Sequence, residues 1–193
     1  MHLVIFDLET TGYSPRYHEI IQIAAVRMRH GRISSKERFE TFVRPQKTIP
    51  GFISGLTGIT DRDVRDAPEP PAALIAFSQF VGDATLVAHN GRRFDLPFVR
   101  ECCLRHQLPL REVPFIDSTA LSREVWADER THNLDAVTER LGLSAEGLRR
   151  HDARGDVWIL AEAVRCMWRR LGTPSDRCPV PLDAGYLPSA DQL

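Results

Sequence analysis

Lysine is almost absent from this chain of 193 residues, which has only Lys36 and Lys47, so arginine supplies nearly all of its 25 basic residues. The net charge is only −1, and no global positive field therefore points to a nucleic-acid partner. A local basic surface beside an acidic site would cancel in that sum. Arginine is well suited to phosphate contacts, but a bias that runs through the whole chain is better explained by genomic composition.

Cysteines and long apolar runs are also scarce. Cys102, Cys103, Cys166 and Cys178 include no Cys-x-x-Cys pair, which argues against a zinc site and predicts reduced thiols. No apolar stretch approaches the roughly 20 residues of a membrane helix. The N-terminus also lacks the charged and apolar regions of a signal peptide. We therefore expect a soluble, cytoplasmic protein that has no membrane partner.

The order of apolar and turn segments predicts one mixed α/β domain. Three strands in an antiparallel meander come first, and helices and strands then alternate to the end of a long final helix. This domain is predicted to span residues 1–172. Residues 173–193 are rich in proline and are predicted to form an extended tail.

The first predicted strand is apolar but carries two carboxylates, Asp7 and Glu9. Side chains alternate between the faces of a strand, so the two acids point the same way. Buried carboxylates are costly unless they are paired or bind a metal, and Thr10, Thr11 and Gly12 turn the chain directly after them. The pattern favours a hard divalent cation at the edge of a sheet. The alternative is a pair of solvated acids at a fraying strand end.

Two further motifs contain single acids. Asp95 lies in the first turn of a predicted helix that follows a turn at Asn90, and Asp156 lies five residues after His151 at the start of the last helix. Each has a structural alternative, since acids offset the helix dipole and asparagine favours turns. The three motifs together favour a site built from distant segments of the chain.

These motifs carry a resemblance to a known family. Phe6-Asp7-Leu8-Glu9-Thr10-Thr11-Gly12, then His89-Asn90 with Phe94-Asp95, then His151 with Asp156, resemble the three motifs of the DnaQ-like DEDDh 3′→5′ exonucleases. The segment from Ile49 to Asp61 is similar to that of PolC-type proofreading domains. The turn between Asn90 and Phe94 is one residue longer than the commonest form, which leaves its path open. The resemblance covers residues 2 to 171 and implies a ribonuclease-H-like fold, a mixed five-stranded sheet flanked by helices.

The resemblance also implies a two-metal hydrolysis that releases nucleoside 5′-monophosphates from a 3′ end. Two divalent cations, Mg²⁺ or Mn²⁺, would be held by Asp7, Glu9, Asp95 and Asp156, with His151 as the general base. The substrate-binding residues implied in the same way are Glu9, Thr10, Thr11, Leu56, Thr57 and Asn90.

The expected substrates are single-stranded or frayed 3′ ends of nucleic acid. DNA is favoured because of the PolC-like segment, which points to proofreading or repair, either alone or with a DNA polymerase as partner. A 3′–5′ exoribonuclease that trims RNA or short oligonucleotides is the alternative, because recognition of the 2′-hydroxyl leaves no sequence signature. A catalytically silent binding module is disfavoured, since all four acids and the histidine are present. Arg92 and Arg93 are candidate phosphate contacts, with a solvated surface as the alternative.

Overall fold

Strand β1 lies inside a six-stranded sheet whose order is β3-β2-β1-β4-β5-β6. A computed structural model describes residues 1–143 and 153–189. The strands are β1 (His2–Thr10), β2 (Ile20–Arg29), β3 (Arg32–Phe42), β4 (Thr85–Ala88), β5 (Leu110–Asp117) and β6 (Asp183–Pro188). The helices are α1 (Gly51–Thr57), α2 (Asp61–Val64), α3 (Pro70–Val81), α4 (Asp95–Arg105), α5 (Ser118–Val125), α6 (Leu134–Leu141) and α7 (Ala153–Arg170).

The sheet is mixed, as predicted. Strands β1, β2 and β3 form the expected antiparallel meander, while β4 is parallel to both β1 and β5. His30 and Gly31 connect β2 to β3 with φ angles of 50° and 73°. Two positive φ angles match the right-handed twist of a hairpin, and glycine adopts them without steric cost.

The sixth strand is one more than the resemblance implies. Strand β6 comes from the segment predicted to be an extended tail, and it pairs antiparallel with β5 from Leu110↔Pro188 to Phe115↔Asp183. Leu187 is completely buried, and Ser78 Oγ donates a hydrogen bond to the Pro188 carbonyl at 2.6 Å. The segment is extended but is part of the sheet, because Leu187 provides enough apolar burial to hold a short edge strand.

Strand β1 is buried on both faces and divides the core. Val4 and Phe6 pack with helices α3 and α4 on one face of the sheet, while Leu3 and Ile5 pack with α5, α6 and α7 on the other. Because alternate residues share a face, Asp7 and Glu9 lie on the α7 side. The packing of α7 on β1 and β2 therefore brings Asp156 to Asp7 and Glu9.

The four cysteines are free, as predicted. Burial raises the pKa of the Cys103 thiol to about 12, so the thiolate is suppressed at neutral pH. In the described part of the chain, no helix combines the length and the apolar character needed to cross a bilayer.

Candidate active site

The predicted motifs meet at one edge of the sheet. Strands β1, β4 and β5 run parallel, so their carboxyl ends lie together, and such edges are the usual ligand sites of α/β sheets. Asp7 and Glu9 lie at the end of β1, the segment from His89 follows β4, and Asp117 ends β5.

Three carboxylates form a cluster at this edge. One oxygen from each of Asp7, Glu9 and Asp156 lies within 4.8 Å of the others, and Asp156 is buried while the other two are half-buried. Acids so close together repel one another, and a cation among them reverses that cost. A set of carboxylate oxygens matches the preference of Mg²⁺ and Mn²⁺.

A buried glutamine fixes the start of helix α7 beside this cluster. Gln22 lies opposite Glu9 in the β1–β2 register and is almost inaccessible to solvent. Its Oε1 accepts a hydrogen bond from the Ala153 backbone N–H at 3.1 Å. Gln22 thus satisfies a donor in the first turn of α7 and ties the helix to β2. Sequence reasoning missed this residue, although a lone polar side chain within the apolar run of β2 was a signal.

The turn between β4 and α4 is held by Asp117. Its Oδ1 accepts hydrogen bonds from the Asn90 backbone N–H at 3.0 Å and from the backbone N–H and hydroxyl of Thr119 at 3.0 and 2.8 Å. Its Oδ2 accepts from the Arg92 backbone N–H at 3.1 Å. Asn90 has a φ of 57°, a left-handed conformation that asparagine tolerates. The longer turn therefore has one defined path, and sequence reasoning missed the residue that sets it.

Gly91 is required by close packing in the same turn. A Cβ at this position would lie 2.6 Å from the Ala88 Cβ and 3.0 Å from the Phe115 ring. No larger residue fits without moving strand β4 or β5. The turn is consequently pressed against the ends of both strands.

Asp95 lies in the first turn of α4, as predicted, and is only 2% exposed. Burial raises the pKa of its carboxyl to about 7, and the negative charge of Asp117 adds to the shift. The backbone N–H groups of Asp95 and Leu8 oppose the shift without cancelling it. Among the described residues, Asp95 Oδ1 has no hydrogen-bond partner. A buried acid left in this state fits a position beside a cation.

Two cavities flank the acids. The β1-side cavity, of about 230 Å³, is lined by Asp7, Leu8, Glu9, Thr10, Gly12, Tyr13, Ile53, Leu56, Thr57, Phe94 and Asp156. The α5–α6 cavity, of about 400 Å³, is lined by Asp7, His89, Asn90, Phe94, Asp95, Thr119, Arg123, Arg130, His132 and Asn133. Asp7 and Phe94 belong to both, so the cavities meet at the acidic cluster.

Most of the predicted substrate-binding residues line these cavities. Glu9, Thr10, Leu56 and Thr57 line the β1-side cavity, and Asn90 lines the α5–α6 cavity. Leu56 is 42% exposed, which leaves an apolar side chain available at the rim. Thr57 is buried, and its hydroxyl donates to a backbone carbonyl at 3.0 Å, so it shapes the wall of the cavity.

Thr11 takes a different position. Its hydroxyl accepts a hydrogen bond from the Glu19 backbone N–H at 3.0 Å, on the inner side of the turn that follows β1. Gly12 lies against His18 there, and an added Cβ would approach the His18 ring to 2.6 Å. Thr11 therefore holds this turn in shape. His151, the predicted general base, lies outside the described residues.

The candidate phosphate contacts Arg92 and Arg93 lie on the surface, as the alternative interpretation had it. Arg92 Nη2 forms an ion pair with Asp183 Oδ1 at 2.8 Å, on the side of strand β6. Arg93 is exposed and lines neither cavity. Arg123 and Arg130, which sequence reasoning missed, line the α5–α6 cavity instead.

The fold is ribonuclease-H-like, with the acidic cluster at the carboxyl edge of its parallel strands. The chain belongs to the RNase T exonuclease family, whose family model matches residues 4–164. The DEDDh exonuclease resemblance and the predicted fold class are thereby confirmed, and the homology supports a 3′–5′ exonuclease, a phosphodiester hydrolase.

The relatives include a much longer protein. The "DNA polymerase III PolC-type" of Latilactobacillus sakei subsp. sakei (strain 23K) is 37% identical over 150 residues, which cover 78% of this chain and 10% of that protein. The chain thus spans about a tenth of the length of this PolC relative.

Two solved structures share the fold across nearly their whole length. Exonuclease X in complex with 5′ overhanging duplex DNA has a TM-score of 0.70 at 25% identity, with 90% of this chain and 95% of that chain covered. The nuclease domain of 3′hExo, a DEDDh family member bound to rAMP, has a TM-score of 0.77 at 21% identity, with 95% and 96% covered.

Proposed function

We propose that this chain is a metal-dependent 3′–5′ exonuclease that removes nucleoside 5′-monophosphates from single-stranded or frayed DNA 3′ ends. The observation that carries the proposal is the cluster of Asp7, Glu9 and Asp156 at the carboxyl edge of the parallel strands. Asp95 adds a fourth, buried acid in the adjoining cavity. The similarity to PolC-type polymerase favours DNA and, as partner, a DNA polymerase.

The four acids fit a site for two divalent cations. Their oxygens form the ligand set that Mg²⁺ and Mn²⁺ prefer, and the raised pKa of Asp95 marks an acid that needs a nearby positive charge to ionise fully. When bound, such ions activate water and stabilise the charge on the leaving oxygen. Asp7, Glu9, Asp95 and Asp156 would together hold these ions.

The remaining roles belong to side chains that place the substrate. Thr10 and Glu9 bind the terminal nucleotide, and Leu56 presents an exposed apolar surface to its base. Phe94 separates the two cavities and packs on Phe98 at a ring-centroid distance of 5.0 Å, which fixes its orientation. His151 takes the proton of the attacking water, because an imidazole near neutrality suits a general base.

A 3′–5′ exoribonuclease is the second candidate. The 3′hExo structure contains rAMP, but at 21% identity that likeness establishes the fold alone. DNA is preferred here because the PolC relative is more similar in sequence, at 37% identity. A silent binding module is disfavoured because the acidic cluster is intact.

The test compares two 5′-labelled single strands of the same sequence, one DNA and one RNA, with Mg²⁺, with Mn²⁺ and with EDTA. A ladder that shortens from the 3′ end and requires the metal is expected, with DNA as the faster substrate. Asp7→Ala should lower the rate by about a thousandfold or more, because Asp7 belongs to the cluster and to both cavities.

Asp83→Ala is the matched control, since Asp83 is exposed at the opposite end of strand β4. It removes the same charge and should retain the wild-type rate. The proposal fails if the folded protein produces no ladder with metal on either strand. A faster RNA ladder would replace the DNA assignment with the exoribonuclease.

A further inference from the structure

The α5–α6 cavity combines the acids of the site with arginine side chains. Asp7, Asp95, Arg123 and Arg130 all line it. A polynucleotide that approaches the four carboxylates of the site is repelled by them, and cations in the same lining offset that repulsion. The cavity is therefore the part of the site where a phosphate group is most favoured.

Both arginines keep their charge available. Among the described residues, Arg123 contacts only a neutral hydroxyl, with Nη1 3.5 Å from Thr119 Oγ1, and Arg130 forms no ion pair or hydrogen bond. Other arginines nearby are neutralised: Arg140 pairs with Glu129 at 2.8 Å, and Arg92 pairs with Asp183. An unpaired guanidinium can bind a phosphate without first breaking an ion pair.

The loop that carries Arg130 is anchored on both sides of this residue. On one side, Glu129 accepts hydrogen bonds through its backbone carbonyl from His132 Nε2 at 3.0 Å and through its carboxylate from Arg140. On the other side, the Thr131 carbonyl accepts from Arg140 Nη1 at 2.7 Å. His132 Nδ1 lies 2.8 Å from Ser122 Oγ, which joins the loop to α5. The backbone of Arg130 is thus fixed before any substrate arrives, which lowers the entropy cost of binding.

The two cavities lie on different sides of the acidic cluster, so each can bind a different part of the substrate. The acidic cluster lies where the cavities meet, at Asp7, so the cleaved phosphate lies there as well. The β1-side cavity contains the residues assigned to the terminal nucleotide. The α5–α6 cavity is left for the chain on the 5′ side of the cleaved bond.

We propose that Arg123 and Arg130 form a phosphate subsite that binds the phosphodiester immediately 5′ to the cleaved bond. This inference rests on the proposed function and names the part of the substrate that the second cavity recognises. This pair of arginines differs from Arg92 and Arg93, the two candidates that the sequence offered beside a solvated surface. A phosphate contact is independent of base identity, so the subsite favours chain length rather than sequence.

The test uses two substrates that differ in this phosphodiester. The p-nitrophenyl ester of thymidine 5′-monophosphate has a scissile phosphate but no upstream phosphodiester, whereas a single-stranded DNA of about 15 nucleotides has many. For Arg123→Ala and for Arg130→Ala, the ratio of kcat/KM on DNA to kcat/KM on the ester should fall by about fivefold, mainly through KM. Arg130→Lys should recover part of the ratio, because it restores the charge without the planar fork.

Arg32→Ala is the matched control, because Arg32 is exposed in the β2–β3 hairpin and lines a separate cavity with Met28 and Trp168. It should leave the ratio at the wild-type value. The proposal is overturned if both substrates lose rate equally in the cavity variants, or if Arg32→Ala lowers the ratio as much as they do.

A binding measurement separates this inference from the proposed function. Fluorescence anisotropy of the labelled DNA in EDTA reports binding without cleavage. The double variant should bind more weakly, and the slope of log Kd against log salt should fall by about 0.7 for each arginine removed. If the wild type cleaves neither substrate, the proposed function fails. The anisotropy then decides the subsite, and equal Kd values for wild type and double variant overturn it.

Discussion

The end of strand β5 and the first turn of helix α4 each contain a buried aspartate, and the two carboxylates differ in how many hydrogen bonds they accept. Asp117 accepts four hydrogen bonds and holds a turn. Asp95 is more deeply buried, has an oxygen without a partner among the described residues, and has its pKa raised to about 7. The fold stabilises the first acid and leaves the second in a costly state.

We interpret the difference as one between an acid that holds the structure and an acid that belongs to the proposed metal site. Buried polar groups are normally satisfied, so an exception calls for an explanation. Here the exception lies beside Asp7, at the cavity that adjoins the acidic cluster. We infer that the buried carboxylate of Asp95 lowers the stability of the metal-free protein, and that a bound cation would offset this cost.

Among the substitutions that test this comparison, Asp95→Asn should produce the largest changes in both activity and stability. Activity should fall by about a thousandfold, because a charged group of the site is lost. The metal-free variant should nevertheless be more stable than wild type at pH 8, by on the order of 4 kcal/mol, which corresponds to a rise in Tm of about 8–16 °C. Thermal denaturation in EDTA measures this gain.

The pH dependence of that gain follows from the raised pKa. Between pH 3.8, the ordinary value, and about 7, the folded protein keeps the Asp95 proton while the unfolded chain releases it. Wild-type stability therefore falls as pH rises through this window and stays low above it, whereas the asparagine variant has no such term. The gain should disappear near pH 4, and Mg²⁺ or Mn²⁺ should raise the Tm of wild type more than that of the variant. A variant less stable than wild type at pH 8 would contradict the comparison.

Asp117→Asn should have a smaller effect of opposite sign on stability. An amide has one acceptor oxygen, so at least one of the four donors loses its partner inside the protein, at a cost of about 1–3 kcal/mol. The turn that leads to Asp95 loosens, and kcat should fall by about tenfold. Denaturant unfolding and single-turnover kinetics measure the two losses.

The control for this substitution is Asp83→Asn, which removes the same charge from an exposed position at the other end of β4. It should change neither quantity. If Asp117→Asn keeps full stability, then the four hydrogen bonds contribute nothing beyond those that water would supply, and the contrast with Asp95 loses its physical basis.

Local patterns were sufficient to predict much of this site. Strand alternation placed Asp7 and Glu9 on one face, and a helix start placed Asp95 in its first turn. Helix α5 begins at Ser118 because the Asp117 side chain caps it, and it ends before Trp126. Such features depend on neighbours within a few residues, which the sequence shows directly.

The features that were missed depend on contacts between distant segments. Asp117 bonds to a turn 27 residues earlier, and Gln22 bonds to a helix 131 residues later. Strand β6 exists because β5 offers it an edge, and Pro188 with the prolines that precede the strand concealed the short alternation. Arg130 was not distinguished from the other arginines, because only the fold shows which cation lines a cavity together with the acids. The role of His151 stays a prediction.

The smallest effect is expected at Asp63, an acid that accepts hydrogen bonds as Asp117 does but is exposed to solvent. Its Oδ2 accepts hydrogen bonds from the backbone N–H and the hydroxyl of Thr60 at 2.8 and 2.6 Å, and these bonds hold the pKa of Asp63 below its usual value. Asp63→Ala should lower the Tm at pH 7 by less than about 2 °C, since water replaces the lost partners, and Asp63→Asn should lower it less. Because the pKa is depressed, this contribution is present above the unfolded value of 3.8 and is lost as pH falls through the folded value. A loss as large as that of Asp117→Asn would mean that burial does not set the cost of removing a satisfied acid.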